Sequence, residues 1–133
     1  MEVLSSRVLL SPLDFDRSRR WYTDVLGLRI YREYGVDGEI TGIVLFLGGG
    51  FLELTRAGST LGDAPALTLW LQVPAVDSEH DRLAATGEVT IVTPPKTMPW
   101  GLREMWIEDP DGVRLVLVEV PEVHPIRRRL DTG

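Results

Sequence analysis

The stretch PWGLREMWIEDPDGVRLVLVEV, residues 99–120, places two apolar runs on either side of Asp109-Pro110-Asp111-Gly112. Proline presets φ for a turn, aspartate offers a side-chain acceptor to nearby backbone N–H groups, and glycine accepts positive φ. REMWIE (103–108) and VRLVLVEV (113–120) therefore read as the two strands of a hairpin. The segment carries Trp100, Trp106 and an Arg-Glu pair, yet no nucleophile beside a base.

Upstream of this hairpin, EVTIVT (88–93) is a further strand. VDSEHDRLAAT predicts a helix with Val76, His80, Leu83 and Ala84 on one stripe, closed by Gly87, and LTLWLQV (67–73) is the strand that precedes it. This half reads βαβββ. The first half repeats the pattern, beginning with a strand over 6–11 that ends at Ser-Pro. A helix follows, with Asp14 or Asp16 as its cap, Trp21, Tyr22, Val25 and Leu26 on one face, and Gly27 ending it in the left-handed conformation. Strands at 28–34, 42–47 and 51–56 complete it, the last two joined by Gly48, Gly49 and Gly50. The glycine turn and the DPDG turn occupy equivalent places, so the chain is an internal repeat of about 60 residues. One domain over 1–133 is expected, with units at 5–57 and 65–120 joined by a polar spacer. The tail 121–133, which holds His124 and Arg127 to Arg129, is expected to be mobile or to dock on a partner.

A chain of 133 residues can bury one core, since a domain near this size hides roughly 70% of its unfolded surface. Cysteine is absent, which removes disulfides and thiolate metal sites. The N-terminal apolar run is too short for a signal peptide, and no stretch approaches the ~20 apolar residues of a membrane span. A cytoplasmic location is therefore expected. The formal charge of −6 argues against nucleic acid as a partner and is compatible with a cationic ligand or with a merely solvated acidic surface.

Two tandem βαβββ units, the helix end WYTDVLG (21–27) and the hairpin REMWIEDPDGVRLVLVE (103–119) together resemble the vicinal-oxygen-chelate superfamily of glyoxalases, bleomycin-resistance proteins and ring-cleaving dioxygenases. The resemblance covers residues 5–120. It implies an α+β fold of two curved mixed sheets around a cavity, commonly in a homodimer. Enzymes of that superfamily hold a divalent metal with His and Glu from four strands, and the corresponding positions here are Arg7, Glu53, Thr68 and Val116. Only Glu53 is a donor of the right kind, while a first-row metal needs three or four. No metal and no cofactor are expected. His80 reads as a half-buried core histidine and His124 as an exposed tail residue, so neither supplies a catalytic motif.

Side chains alternate along a strand, so one position assigned by resemblance assigns its neighbours. With Glu53 on the cavity face, Phe51 and Thr55 share it, while Leu52 and Leu54 pack under a helix. Arg7 and Leu9, then Thr68, Trp70 and Gln72, then Arg114, Val116 and Val118 follow by the same count. Met105 and Ile107 make a core face, which turns Glu104 and Trp106 toward the cavity. Trp100 sits before Gly101 at the expected rim. The indoles can be walls for a flat ligand or ordinary core filling; at Trp70 the polar neighbours Thr68 and Gln72 favour a wall. Arg7 is expected to pair with Glu53, because two buried charges are costly unless paired.

PWGLRE (99–104) resembles the matching region of bleomycin-resistance proteins, which sequester drug without altering it. The resemblance thus implies a metal-free protein that binds a bulky aromatic natural product or antibiotic. The alternatives are a lyase, isomerase or dioxygenase-like enzyme using Glu53 as base beside Arg7, and an interaction module that binds no small molecule.

Overall fold

The computed structural model describes residues 2, 4–5, 7–56 and 67–123. The spacer after Arg56 and the tail with His124 and Arg127 to Arg129 lie outside these residues. The fold is α+β, built of two tandem βαβββ units, and the chain separates into compact parts at Met1–Pro65 and Ala66–Gly133.

In the first unit, β1 (Arg7–Leu10) leads through helix α1 (Phe15–Arg20) to β2 (Ile30–Val36), β3 (Glu39–Leu47) and β4 (Gly50–Thr55). The sheet order is β1-β4-β3-β2, with β1 parallel to β4 and the other pairs antiparallel. Asp14 caps α1 by accepting the Arg17 N–H at 3.1 Å. Where one continuous helix was expected, α1 widens into a π-helical turn over Trp21–Val25. The Leu26 N–H reaches the Trp21 carbonyl at 2.8 Å, and Trp21 and Tyr22 are both buried, edge to face at 4.9 Å. Gly27 follows with φ +86°. One sheet face, formed by Leu10, Ile43, Leu45, Leu52 and Leu54, is buried beside this helical segment.

Strand β3 begins at Glu39, earlier than the apolar run at 42–47 indicates. Asp37 (φ +53°) and Gly38 (φ +78°) form the two-residue turn that joins it to β2. Both central residues of such a hairpin turn need positive φ, which aspartate tolerates and glycine adopts freely.

In the second unit, β5 (Thr68–Gln72) leads through α2 (Val76–Thr86) to β6 (Thr90–Thr97), β7 (Arg103–Glu108) and β8 (Arg114–Glu119), in the order β5-β8-β7-β6. Ala75 offers no side chain to cap α2. Glu119 does so from β8, accepting the Val76 N–H at 2.9 Å. Arg103 on β7 clamps Asp77 through Nε and Nη2 at 2.7 and 2.8 Å, which holds the first turn of α2 against the sheet. This pairing draws the Asp77 carboxyl below its ordinary pKa.

Val76 and Leu83 are the fully buried residues of α2, His80 is half-buried, and Ala84, expected on the inner stripe, is exposed. A seven-residue spacing defines a narrow contact line, and Ala84 falls off its edge. Gly87 ends the helix at φ +67°. In the DPDG turn, Asp109 Oδ1 accepts the N–H groups of Asp111 and Val113, each at 2.8 Å. β6 continues through Pro94 and Pro95, past the expected end at 93, because it is an edge strand. A register shift between Thr93 and Lys96 accommodates the missing N–H groups there.

Candidate functional site

Each sheet has a face turned away from its helix, and strand register determines what stands on it. On the first sheet the register aligns Arg7 with Phe51 and Phe46, and Leu9 with Glu53, Val44 and Arg32. Thr55 aligns with Gly42 and Tyr34. The expected residues Arg7, Leu9, Phe51 and Glu53 therefore share one face.

Glu53 is the electrostatic centre of this face. Its Oε1 accepts from Arg7 Nη1 at 2.6 Å and its Oε2 accepts from the Tyr34 hydroxyl at 2.7 Å. The Glu53 side chain is 15% exposed and that of Arg7 is 43% exposed. The Tyr34 bond, followed by the Arg7 bond, holds the Glu53 carboxyl below its ordinary pKa. Burial, reinforced by the bond to Glu53, pushes the Tyr34 hydroxyl up. Gly42 makes the arrangement possible. A Cβ at that position would fall inside the Tyr34 ring, 2.5 Å from Cε2 and closer to Cζ and the hydroxyl. The absent side chain is the space in which the ring lies.

Beside this network stands an aromatic trio. Tyr31 lies 5.2 Å from Phe46 and 4.9 Å from Phe51, and the two phenyl rings are 5.8 Å apart, between ring centroids. Tyr31 and Phe46 remain 52% and 41% exposed. Sequence reading missed Tyr31, Tyr34, Phe46 and Arg32. A register shift between Ile30 and Arg32 turns Tyr31 onto the open face, so period-2 alternation breaks where it would have been needed. Tyr34 had no comparable signal: the Asp37-Gly38 turn by itself would set it opposite Thr41, and a second register shift, between Tyr34 and Gly35, sets it opposite Gly42.

On the second sheet, Thr68 aligns with Arg114, Glu108 and Thr90. Trp70 aligns with Val116, Trp106 and Thr93, and Gln72 with Val118, Glu104 and Lys96. Two indoles thus stand in one cross-strand row with valine between them, roughly 9.5 Å apart by strand spacing. Trp70 is 48% exposed, Trp106 is half-buried against the cluster of Leu102, Val116, Val118 and Val120, and Val116 is buried as the floor between the indoles. Thr68, Gln72 and Arg114 are exposed, and Arg114 lies 3.6 Å from Glu108. Glu104 is buried, and the Trp100 indole N–H donates to its Oε2 at 2.7 Å. Trp100 is itself exposed in the turn before β7.

The four positions of the superfamily's metal ligands do not suit a metal. Arg7 is a cation, both oxygens of Glu53 already accept protein donors, Thr68 offers one neutral hydroxyl, and Val116 has only methyl groups. Among the described residues no group of three or more His, Cys, Asp or Glu side chains could hold a metal ion. Nor, among these residues, is any helix long and apolar enough to cross a membrane.

A model of the glyoxalase/bleomycin resistance protein/dioxygenase superfamily matches residues 6–117. Among solved structures, TioX from Micromonospora sp. ML1 is 28% identical, with 88% of this chain and 98% of that chain covered and a TM-score of 0.73. A superfamily member from Sphaerobacter thermophilus DSM 20745 is 24% identical, with coverages of 89% and 98% and a TM-score of 0.72. TnmS3, an antibiotic binding protein from Streptomyces sp. CB03234, is 21% identical, with coverages of 90% and 98% and a TM-score of 0.73. The last two likenesses are of fold alone. Among curated proteins none matches the chain significantly.

Proposed function

The chain belongs to the glyoxalase/bleomycin resistance protein/dioxygenase superfamily, and we propose that within it the protein is a metal-free binder that sequesters a bulky aromatic natural product or antibiotic without altering it. The observation that carries this reading is the row Trp70–Val116–Trp106, where an indole stands 48% exposed on a sheet face between exposed Thr68 and Gln72. The support lies in the pairing of the two indoles across one row, since a single exposed apolar residue is ordinary. Flat aromatic walls with polar groups beside them suit a planar ligand held by stacking and a few hydrogen bonds. The fold of an antibiotic binding protein, TnmS3, gives the reading a precedent.

Glu53 is poorly suited to act as a base. A general base works best with a pKa near the working pH, whereas two donors hold this carboxylate ionised and weakly basic. The enzyme alternative therefore lacks its key group. We assign Arg7, Leu9, Phe51 and Glu53 on the first sheet, and Thr68, Trp70, Gln72, Trp106 and Arg114 on the second, to ligand contact. Val116 and Glu104 are buried and shape the floor, and Trp100 covers Glu104. A cytoplasmic homodimer is the expected form.

A fluorescence titration against a panel of polycyclic and glycopeptide antibiotics tests the function. A planar ligand should quench the tryptophan emission and be recovered chemically unchanged by mass spectrometry. Stacking contributes about 1 kcal/mol beyond area burial, so Trp70→Ala should weaken binding about tenfold or more once lost contact area is included. Unchanged affinity across all ligands that bind the parent, or a product whose formation needs Glu53, would refute it.

A further inference from the structure

We propose that the open face of the first sheet is a platform for a planar aromatic anion, a phenolate or aromatic carboxylate, with its ring on Tyr31, Phe46 and Phe51 and its oxygens taken by Arg7. This rests on the reading of the protein as an aromatic-ligand binder, and it adds the rings that hold the ligand on the first sheet and the sign of the ligand's charge.

The apolar half of the platform is the trio, whose centroids lie 4.9 to 5.8 Å apart. Leu9, 60% exposed, extends it on β1. Grouped exposed rings of this kind mark a contact surface, whereas single exposed apolar residues are ordinary.

The polar half decides what the surface accepts. The Arg7 guanidinium lies 5.8 Å from the Phe51 centroid, at the edge of the trio. Its bond to Glu53 uses Nη1, and a guanidinium carries five N–H donors in a planar fork that matches a carboxylate. Arg32 stands in the same row as Glu53, lies 5.5 Å from the Tyr34 centroid, and contributes to holding the Glu53 carboxylate ionised. In the two rows of Phe51 and Glu53 the described strands place two guanidinium groups and one carboxylate, a local balance of +1 in a chain of −6. Charges beyond about 8–10 Å are screened at physiological salt, so the local balance governs a bound ligand. The acidic composition favours a cation at long range, and this face favours the opposite.

The test uses two probes with one ring system and opposite charge, 2-naphthoate and 2-naphthylmethylammonium, titrated into the full chain. Ring resonances of tyrosine and phenylalanine and the indole N–H signals are followed by NMR. Naphthoate should shift the Tyr31, Phe46 and Phe51 rings and bind about tenfold tighter than the ammonium probe. Arg7→Met should abolish that preference. Glu53→Gln removes the opposing charge and should tighten naphthoate by about threefold or more, a gain that a damaged fold would not produce. Equal affinity for the two probes, or no gain in Glu53→Gln, would overturn the proposal. Shifts confined to the indoles would overturn it while leaving the aromatic-binding reading standing, and silence of every ring and indole would sink both. Ring signals that follow protein concentration and ignore naphthoate would give the face to a second copy of the chain and would equally overturn the proposal.

Discussion

Tyr34→Phe removes one hydroxyl and should reveal how Glu53 is held. In the parent protein the hydroxyl donates to Glu53 Oε2 at 2.7 Å, on a side chain only 15% exposed. A hydrogen bond to an ionised group contributes about 1.5–3 kcal/mol. Arg7 still holds Oε1 in the variant, and partial access of water at the half-exposed Arg7 softens the loss. A destabilisation near the lower bound, about 1.5 kcal/mol, is therefore expected at neutral pH.

The variant should also show a characteristic pH dependence. Because the folded-state pKa of Glu53 is depressed, its contribution is present above the unfolded-state pKa and is lost as pH falls through the folded value. The gap between parent and Tyr34→Phe should thus narrow as the solution is acidified below the ordinary glutamate range. Urea unfolding across pH, with the Glu53 carboxyl carbon followed by NMR, measures both effects, and the Glu53 pKa should rise in the variant. Gly42→Ala tests the same bond from the other side, since its Cβ must expel the Tyr34 ring. It should cost about 2–3 kcal/mol, more than the loss of the hydroxyl alone, through overpacking on a central strand. A pH-independent gap, or a Gly42→Ala protein as stable as the parent, would refute the reasoning.

Elemental analysis of the purified protein should find no stoichiometric zinc, nickel, manganese or iron, and chelator should leave its thermal unfolding unchanged; about one metal per chain would contradict the donor chemistry at Arg7, Glu53, Thr68 and Val116. Light scattering at micromolar concentration should give the mass of a two-fold dimer, because β1 and β2 in one sheet and β5 and β6 in the other are edge strands of the kind that association covers; a monomer mass would count against it.

Turn chemistry and alternation are local, and the sequence by itself determined what depends on them. Asp109-Pro110-Asp111-Gly112 had to turn, Gly27 and Gly87 had to end their helices, and the order of elements in both βαβββ units followed. Side-chain period 2 is equally local. Phe51 shares a side of its strand with Glu53, Thr68 with Trp70 and Gln72, and Glu104 with Trp106, because no register shift interrupts these pairings. Only the tertiary structure decided which partners meet. The Tyr34–Glu53 bond joins residues 19 apart and depends on hairpin register and on the space above Gly42. Tyr31 reaches the aromatic trio through a bulge that interrupts alternation, and α2 is capped by Glu119, 43 residues away. Each of these needs two segments brought together by strand pairing, and pairing energy is shared over a whole sheet rather than written in any one stretch of chain.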